Sequence, residues 1–461
     1  MKINFFILFI LSLHLHNYLI KSEIVFVFEQ FRNGIYKYIP LGKTESAQKI
    51  HLNRIDKRIS SPGMRSFYLL GLYIKEKYKN IINPKITSKN LYIYSKELDI
   101  HVLSAQSQLL GMFPLEEGII LNKIEIDLAF PQTSIPIEAQ NEINILGNLS
   151  VPKSIKPFAL RYFSDDENQN LLSINNECQR LTKIEEKNIE NEEFRNIMKT
   201  FLKKHGNELS NMFNLYNKTL INDYNYLSII IEHFLSYYKN RQFLEKEEKD
   251  NKYKLPKEKL DILFKDCIEF KNMSYLLVEA TKDISIISMS ATVKKLVKYM
   301  EERIAYDQKY DETSTELNED KTPKFLIYSN NGRSLYYFQV FLREAFNVEL
   351  KYPFFASNQF LELHRKDGIN YKDLKEEHYH VEYYFNGELL LKINFVEFRD
   401  KVNELEWSTR KIVNFCKHKD ANILDHMFYF ALSVTIFVIL LSIIRTKKAA
   451  ERLKNLTEDK F

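Results

Sequence analysis

The stretch Met427 to Ile444, MFYFALSVTIFVILLSII, restricts this chain more than any other feature: it holds no charge, and Arg445, Lys447 and Lys448 follow it at once. Such a run is long enough to span a bilayer with little or no tilt. A core helix normally tolerates some polar positions, whereas this one has only Ser and Thr, whose hydroxyls bond to the helix backbone. A transmembrane helix is therefore expected over 427–444. The basic residues on its C-terminal side assign the tail, 445–461, to the cytosol and everything before Asp425 to the lumenal or extracellular side. At the other end, Lys2 precedes an apolar stretch, Phe5 to Leu13, and polar Lys21 and Ser22 follow. Residues 1–22 thus read as a secretory signal peptide, with an uncleaved anchor left open by His14 and His16.

That topology gives meaning to smaller signals. Asn148, Asn217 and Asn272 each begin a glycosylation acceptor on the expected lumenal side, while Asn455 sits in the tail and should stay bare. Cys178, Cys267 and Cys416 can make at most one intrachain disulfide, which an oxidising compartment would favour. Cys178 with Cys416 is the expected pair, leaving Cys267 free or buried. The 66 basic residues are nearly balanced by 61 acidic ones, for a formal charge of +5, and no long block of one sign suits a phosphate backbone. No nucleic-acid partner is expected. Heavy use of Lys, Asn and Ile runs through every segment alike and carries no functional information.

The order of elements points to an α/β domain. Glu23 to Phe31, EIVFVFEQF, is a β-branched and aromatic run ending in Arg32-Asn33-Gly34, a strand feeding a tight loop. From Ser61 to Asn80, Pro62-Gly63 opens a pattern with Phe67, Leu70, Leu72 and Ile74 that suits a helix packed on a sheet. Leu91 to Tyr94 is a second strand, and His101 to Phe113 again has apolar residues at helical spacing. Between about 156 and 300 the sequence is charged and helical, with Phe194, Ile197, Met198, Phe201 and Leu202 on one face, and reads as an all-α cap. Tyr306 to Lys324 is a loop by composition. Strand character returns in Phe325 to Tyr328, a helix follows from Leu335 to Phe346, and Val381 to Ile393 holds a hairpin around Asn386-Gly387. The fold class is α/β, an ectodomain over 23–425 with a helical cap inserted into a sheet core.

Several local strings in the right order resemble the histidine acid phosphatases. The opening Arg-His-Gly-x-Arg-x-Pro of that family is matched by Arg32-Asn33-Gly34-Ile35-Tyr36. Its Gly-Met-Arg-x-x-Tyr-Leu-Leu-Gly is matched by Gly63 to Gly71. Its Arg-Ser-Thr-x-x-x-Arg-Thr-x-x-Ser-Ala stretch is represented by Tyr94 to Ala105. The late His-Asp-Thr-Thr-Leu falls on Asn331-Gly332-Arg333-Ser334-Leu335, and Tyr352-Pro353-Phe354-Phe355-Ala356-Ser357 with Leu361-Glu362-Leu363 looks like the stretch before the family's last strands. These five segments span most of residues 24 to 393.

The resemblance implies a sheet core with helices on its faces, no cofactor, and phosphomonoester cleavage through a phosphohistidine. In that chemistry a neutral imidazole attacks phosphorus, arginines hold the phosphoryl oxygens, and an Asp protonates the leaving oxygen. Carried onto this sequence, Asn33 stands at the nucleophile, Tyr36 at the second arginine, Tyr94 and Ile100 at the arginines of the next motif, Asn331 at the second histidine and Gly332 at the acid. Only Arg32 survives. Loss of a nucleophile alone costs on the order of a millionfold in turnover.

Few other residues offer substitutes for these groups. His101 and His51 are lone histidines read as packing or surface. Arg333 could supply one positive charge to the pocket, so Arg32 and Arg333 are the expected ligand-binding residues. His378 and His380 would place two imidazoles on one strand face, as some metal sites do, but no third ligand is in view and no metal is expected. Glu376 and Glu377 read as a solvated face. The sequence thus predicts a membrane-anchored pseudophosphatase whose pocket takes a small phosphorylated or neutral ligand or serves as a scaffold, in a lysosome-like vesicle or at the cell surface. A working acid phosphatase with non-standard residues is the alternative.

Overall fold

In the computed structural model the described residues are 22–36, 58–82, 89–113, 120–129, 144–149, 158–162, 178–213, 215, 221–247, 255–309, 322–417 and 423–458. The signal-peptide stretch up to residue 21, His51, Asn217 and most of the expected loop before Lys324 lie outside them.

β1 (Ser22–Arg32) is buried along nearly its whole length, as a strand covered on both faces must be. Helix α1 (Ser61–Lys77) starts where Ser60 accepts a hydrogen bond from the Gly63 amide at 3.2 Å, with a proline in its first turn. β2 (Leu91–Ser95) and α2 (Asp99–Met112) follow, then a short α3 (Lys123–Leu128) and a three-residue strand β3 (Leu160–Tyr162). Four helices come next: α4 (Gln179–Ile189), α5 (Glu192–Met212), α6 (Tyr224–Glu247) and α7 (Lys257–Ser274). The last runs into a π-turn, Tyr275–Glu279, before α8 (Lys282–Lys309). β4 (Phe325–Asn330), α9 (Gly332–Phe346), β5 (Asn358–Lys366), β6 (Tyr379–Phe385) and β7 (Glu388–Asn394) complete the sheet, and α10 (Phe395–Leu405), α11 (Thr409–Lys417) and α12 (Ile423–Glu458) end the chain.

The seven strands form one sheet in the order β3-β2-β4-β1-β5-β6-β7. The first four are parallel and the rest antiparallel. β6 and β7 are joined by Asn386-Gly387, both at positive φ, the conformation a two-residue hairpin turn needs. Because β4 slots between β1 and β2, the loops leaving β1 and β4 emerge side by side, with Arg32 in register with Asn330. A crevice at the carboxyl ends of adjacent parallel strands is where open α/β sheets carry ligands.

One face of the sheet packs Phe31, Phe67 and Ile74 into a core continuous with Phe194, Phe201 and Phe234 of the helical insert. The other face packs Phe28, Leu326 and Phe338 with Ile287, Val293 and Leu296 of α8. The helical insert expected over 156–300 therefore differs at both ends. Leu160–Tyr162 is an edge strand paired with β2, and α8 runs past 300 and covers the sheet instead of the cap. A disulfide joins Cys178, ahead of α4, to Cys416 in α11, and Cys267 is free and buried.

Among the described residues no helix is long and apolar enough to cross a membrane. The transmembrane helix expected over 427–444 falls within α12, whose side chains are described only over 432–450, so residues 427–431 of the apolar run lie outside them. The part that is described is exposed at Leu432, Phe437, Leu440 and Ile444.

Candidate functional site

A cavity of about 260 Å³ opens at the carboxyl ends of β1 and β4, and Arg32, Asn33, Tyr36, Asn331, Gly332 and Arg333 all line it. The sequence-predicted residues are thus brought to one place. Arg32 ends β1, is 3% exposed, and donates Nη1–H to the Pro353 carbonyl at 2.7 Å. Its Nη2 pairs with the carboxylate of Glu232 from α6. The guanidinium also lies over the Phe355 ring, 4.2 Å from the centroid. Burial works against its charge, but Glu232, with the phenols of Tyr352 and Tyr275, more than offsets it and holds the group protonated.

Asn33 is buried and turned onto its own loop, its amide donating to the Gly34 carbonyl at 3.0 Å. Asn331 caps α9: its Oδ1 accepts from the Ser334 amide and hydroxyl, each at 3.0 Å. Tyr36 is buried with its ring edge against His233 and Phe355. Its carbonyl accepts from Ser236 Oγ at 2.8 Å and Asn240 Nδ2 at 3.0 Å, so α6 is bonded directly to the loop after β1. A Cβ built on Gly332 would meet Tyr275 Oη at 2.9 Å and Arg32 Cδ and Nη1 at 3.1 Å. The hydroxyl of Tyr275 therefore crowds the space a side chain at 332 would enter.

The opposite wall comes from the cap. Lys271 donates to Glu279 at 3.0 Å and to Ser228 Oγ at 2.8 Å, and Tyr224 donates to the same Glu279 carboxylate. Arg333 Nε donates to Glu279 at 2.7 Å and its Nη1 reaches Glu185 at 3.2 Å. Burial opposes ionisation of Glu279, yet Arg333 and Lys271 hold its carboxyl well below the usual range. Glu185 is shifted the other way, upward, chiefly by burial. The π-turn that carries Tyr275 and Glu279 closes with the Ala280 amide donating to the Tyr275 carbonyl at 2.8 Å, and such insertions recur at functional sites. Three cations, Arg32, Lys271 and Arg333, and two carboxylates, Glu232 and Glu279, line the cavity, and Glu185 holds Arg333 from outside it.

Comparison with known proteins agrees with this architecture. The profile described as "Histidine phosphatase superfamily (branch 2)" matches residues 34–386. The chain belongs to that superfamily. Human prostatic acid phosphatase is 28% identical over 130 residues, which cover 28% of this chain and 34% of the relative. The bovine protein of the same name is 26% identical over 116 residues, covering 25% and 29%. The alignment thus spans about a third of the length of the curated relatives it matches. Among solved structures, a phytase from Klebsiella sp. ASR1 superposes with a TM-score of 0.50 at 10% identity, covering 85% of this chain and 98% of the phytase. That likeness concerns the fold.

Within this superfamily member, the other sequence-stretch candidates fall elsewhere. His101 is buried in α2, where its carbonyl accepts from Ser329 Oγ at 2.7 Å, and it does not line the cavity. His378 is not on a strand beside His380: it lies in a 3-10 turn, with its Nδ1 accepting from the Lys375 amide at 3.1 Å. The expected pair on one strand face does not form because β6 begins at Tyr379. Asn148 is exposed, whereas Asn272 is half-buried near the end of α7 and its Oδ1 accepts from Tyr336 at 3.1 Å. Sequence reasoning missed Glu232, Lys271, Tyr275 and Glu279. The available signal was a charge inside an apolar run, as in Ile229-Ile230-Ile231-Glu232 and Leu276-Leu277-Val278-Glu279.

Proposed function

We propose that this chain is a catalytically inactive member of the superfamily, a membrane-anchored pseudophosphatase that acts by binding or scaffolding. The observation that carries this reading is the pairing of Arg32 with Glu232. A phosphate-cleaving pocket needs fixed positive charge facing the phosphoryl oxygens, and here a carboxylate of the cap already holds the retained arginine. Arg333 and Lys271 are likewise engaged by Glu279. An amide such as Asn33 has its nitrogen lone pair delocalised into the carbonyl and is no nucleophile, and Gly332 has no proton to give. Read through the resemblance, the catalytic motifs are degenerate.

The cavity, smaller than the roughly 300–1,000 Å³ common for drug-sized ligands, and its cations, each already paired with a carboxylate, suit a small neutral or weakly anionic ligand. The exposed apolar side chains of α12 from Leu432 to Ile444 support a single-pass anchor, with the large domain lumenal or extracellular. The Cys178–Cys416 disulfide agrees with a secretory route to a lysosome-like vesicle or the cell surface.

The second reading, a working acid phosphatase with non-standard residues, is favoured by the three cations around the cavity and requires Glu232 to leave Arg32 when substrate enters. Hydrolysis of a generic phosphomonoester at acid pH by the detergent-solubilised full chain separates the two. Turnover no higher than that of a mock preparation is expected. Turnover that disappears on Arg32→Ala would establish the second reading instead.

A further inference from the structure

At the end of β1 remote from the cavity, β5 and β6 present a square of ligating side chains. Glu362 pairs directly with Glu382 and His364 with His380 across the two antiparallel strands. Residues two apart on a strand share a face, so all four side chains project together. Two carboxylates directly opposite repel, and these are 1% and 6% exposed. Positive charge beside them offsets that repulsion, part of it from Lys77 and Lys392.

Both carboxylates already have partners. Lys77 Nζ and Tyr78 Oη donate to Glu362 Oε1 at 2.7 and 2.6 Å, and Lys392 Nζ donates to Glu382 Oε1 at 2.7 Å. The Tyr384 hydroxyl donates to Glu382 Oε2. The two imidazoles lie against the same carboxylates: His364 Nε2 is 2.8 Å from Glu362 Oε2 and 3.4 Å from Glu382 Oε2, and His380 Nε2 is 3.1 Å from Glu382 Oε1. The ligand atoms of His364, His380 and Glu382 all lie within 4.8 Å of one another. A tetrahedral zinc with bonds of about 2.0–2.2 Å holds its ligand atoms roughly 3.3–3.6 Å apart, so these three atoms must draw together, and Glu362, beside His364, must turn to join them.

We propose that His364, His380, Glu382 and Glu362 form a structural site for a divalent transition metal, zinc by its mixed imidazole and carboxylate donors, clamping β5 to β6. With four protein ligands the site is closed, and it supplies stability and no chemistry. The test titrates the metal-stripped full chain with Zn²⁺ alone by calorimetry and, separately, with Co²⁺ by visible absorption. One equivalent should bind, with the intense absorption bands of tetrahedral cobalt, and zinc should raise the melting temperature. His364→Gln and His380→Gln should each lose all three responses while keeping a folded circular-dichroism spectrum, and His378→Gln should keep them. Absence of a stoichiometric zinc site in the unaltered protein, or binding unchanged in both variants, overturns the proposal and leaves only the histidine–carboxylate contacts described above. The cobalt spectrum of the unaltered chain decides the matter even if a variant misfolds.

Discussion

Glu232 holds the guanidinium of Arg32 from a position 200 residues further along the chain. The pair ties the cap helix α6 to the end of the central strand, and the bonds from Ser236 and Asn240 to the Tyr36 carbonyl reinforce the same seam. Removing one partner of a buried ion pair typically costs about 3–5 kcal/mol. The cap is therefore fastened to the sheet by the very residue that a phosphate would have to claim.

Placing an acid at position 332 should fail structurally. An Asp at the start of α9 would gain about 0.3–1 kcal/mol from the helix dipole, but its Cβ would press on Tyr275 Oη and on Arg32. Overpacking of this kind costs about 1–3 kcal/mol, so the clash wins. Gly332→Asp should lower the denaturation midpoint, and adding Tyr275→Phe should recover part of the loss. A midpoint unchanged by Gly332→Asp would contradict the crowding described.

The buried carboxyl of Glu29 should make stability depend on pH. Burial pushes its pKa up to about 8, only partly countered by the Gln108 amide that donates to it at 2.6 Å. Between the ordinary value of 4.5 and about 8 the folded chain keeps a proton that the unfolded chain has released, so this group's contribution declines as pH rises through that window and is level above it. Glu29→Gln, which mimics the protonated form, should match the natural protein near pH 4.5 and exceed it by a few kcal/mol above pH 8. Thermal melts of both proteins across this range check the sign. A constant difference would remove Glu29 as the source.

Cutting the link between Cys178 and Cys416 should loosen the helices it joins. The bond closes a sequence separation of 238 residues, and native disulfides typically contribute about 2–4 kcal/mol. Cys416→Ser should lower the denaturation midpoint, and reductant should bring the natural protein to the same value. Equal midpoints with and without reductant would show that the bond contributes nothing.

Where period and composition spoke clearly, the sequence was readable. The continuous apolar run of β1, the Ser60-Pro62 start of α1 and the Asn386-Gly387 turn each have a local cause. β5 was hidden because Gln359-Phe360-Leu361-Glu362-Leu363-His364-Arg365 mixes buried apolar and buried charged positions, and only pairing across the sheet makes its carboxylate and imidazole tolerable. The short β3 has too few residues to show alternation. Arg32, Asn33, Tyr36, Asn331, Gly332 and Arg333 were picked out by the strings that carry the resemblance, and they line one cavity because those strings lie at and just beyond the ends of β1 and β4. Glu232 and Glu279 were not, since their partners lie in distant segments and a charge within an apolar helix does not say what it meets.

Titration with inorganic phosphate by calorimetry, comparing the natural chain with Glu232→Gln, tests most directly whether the cap carboxylate has claimed the pocket's arginine. The natural chain should give no binding heat in the millimolar range. Glu232→Gln should bind at least tenfold more tightly, a gain of about 1.4 kcal/mol, and should lose it again when Arg32→Ala is added. Phosphate binding by the natural chain that is equally tight in Glu232→Gln and abolished by Arg32→Ala would contradict the account.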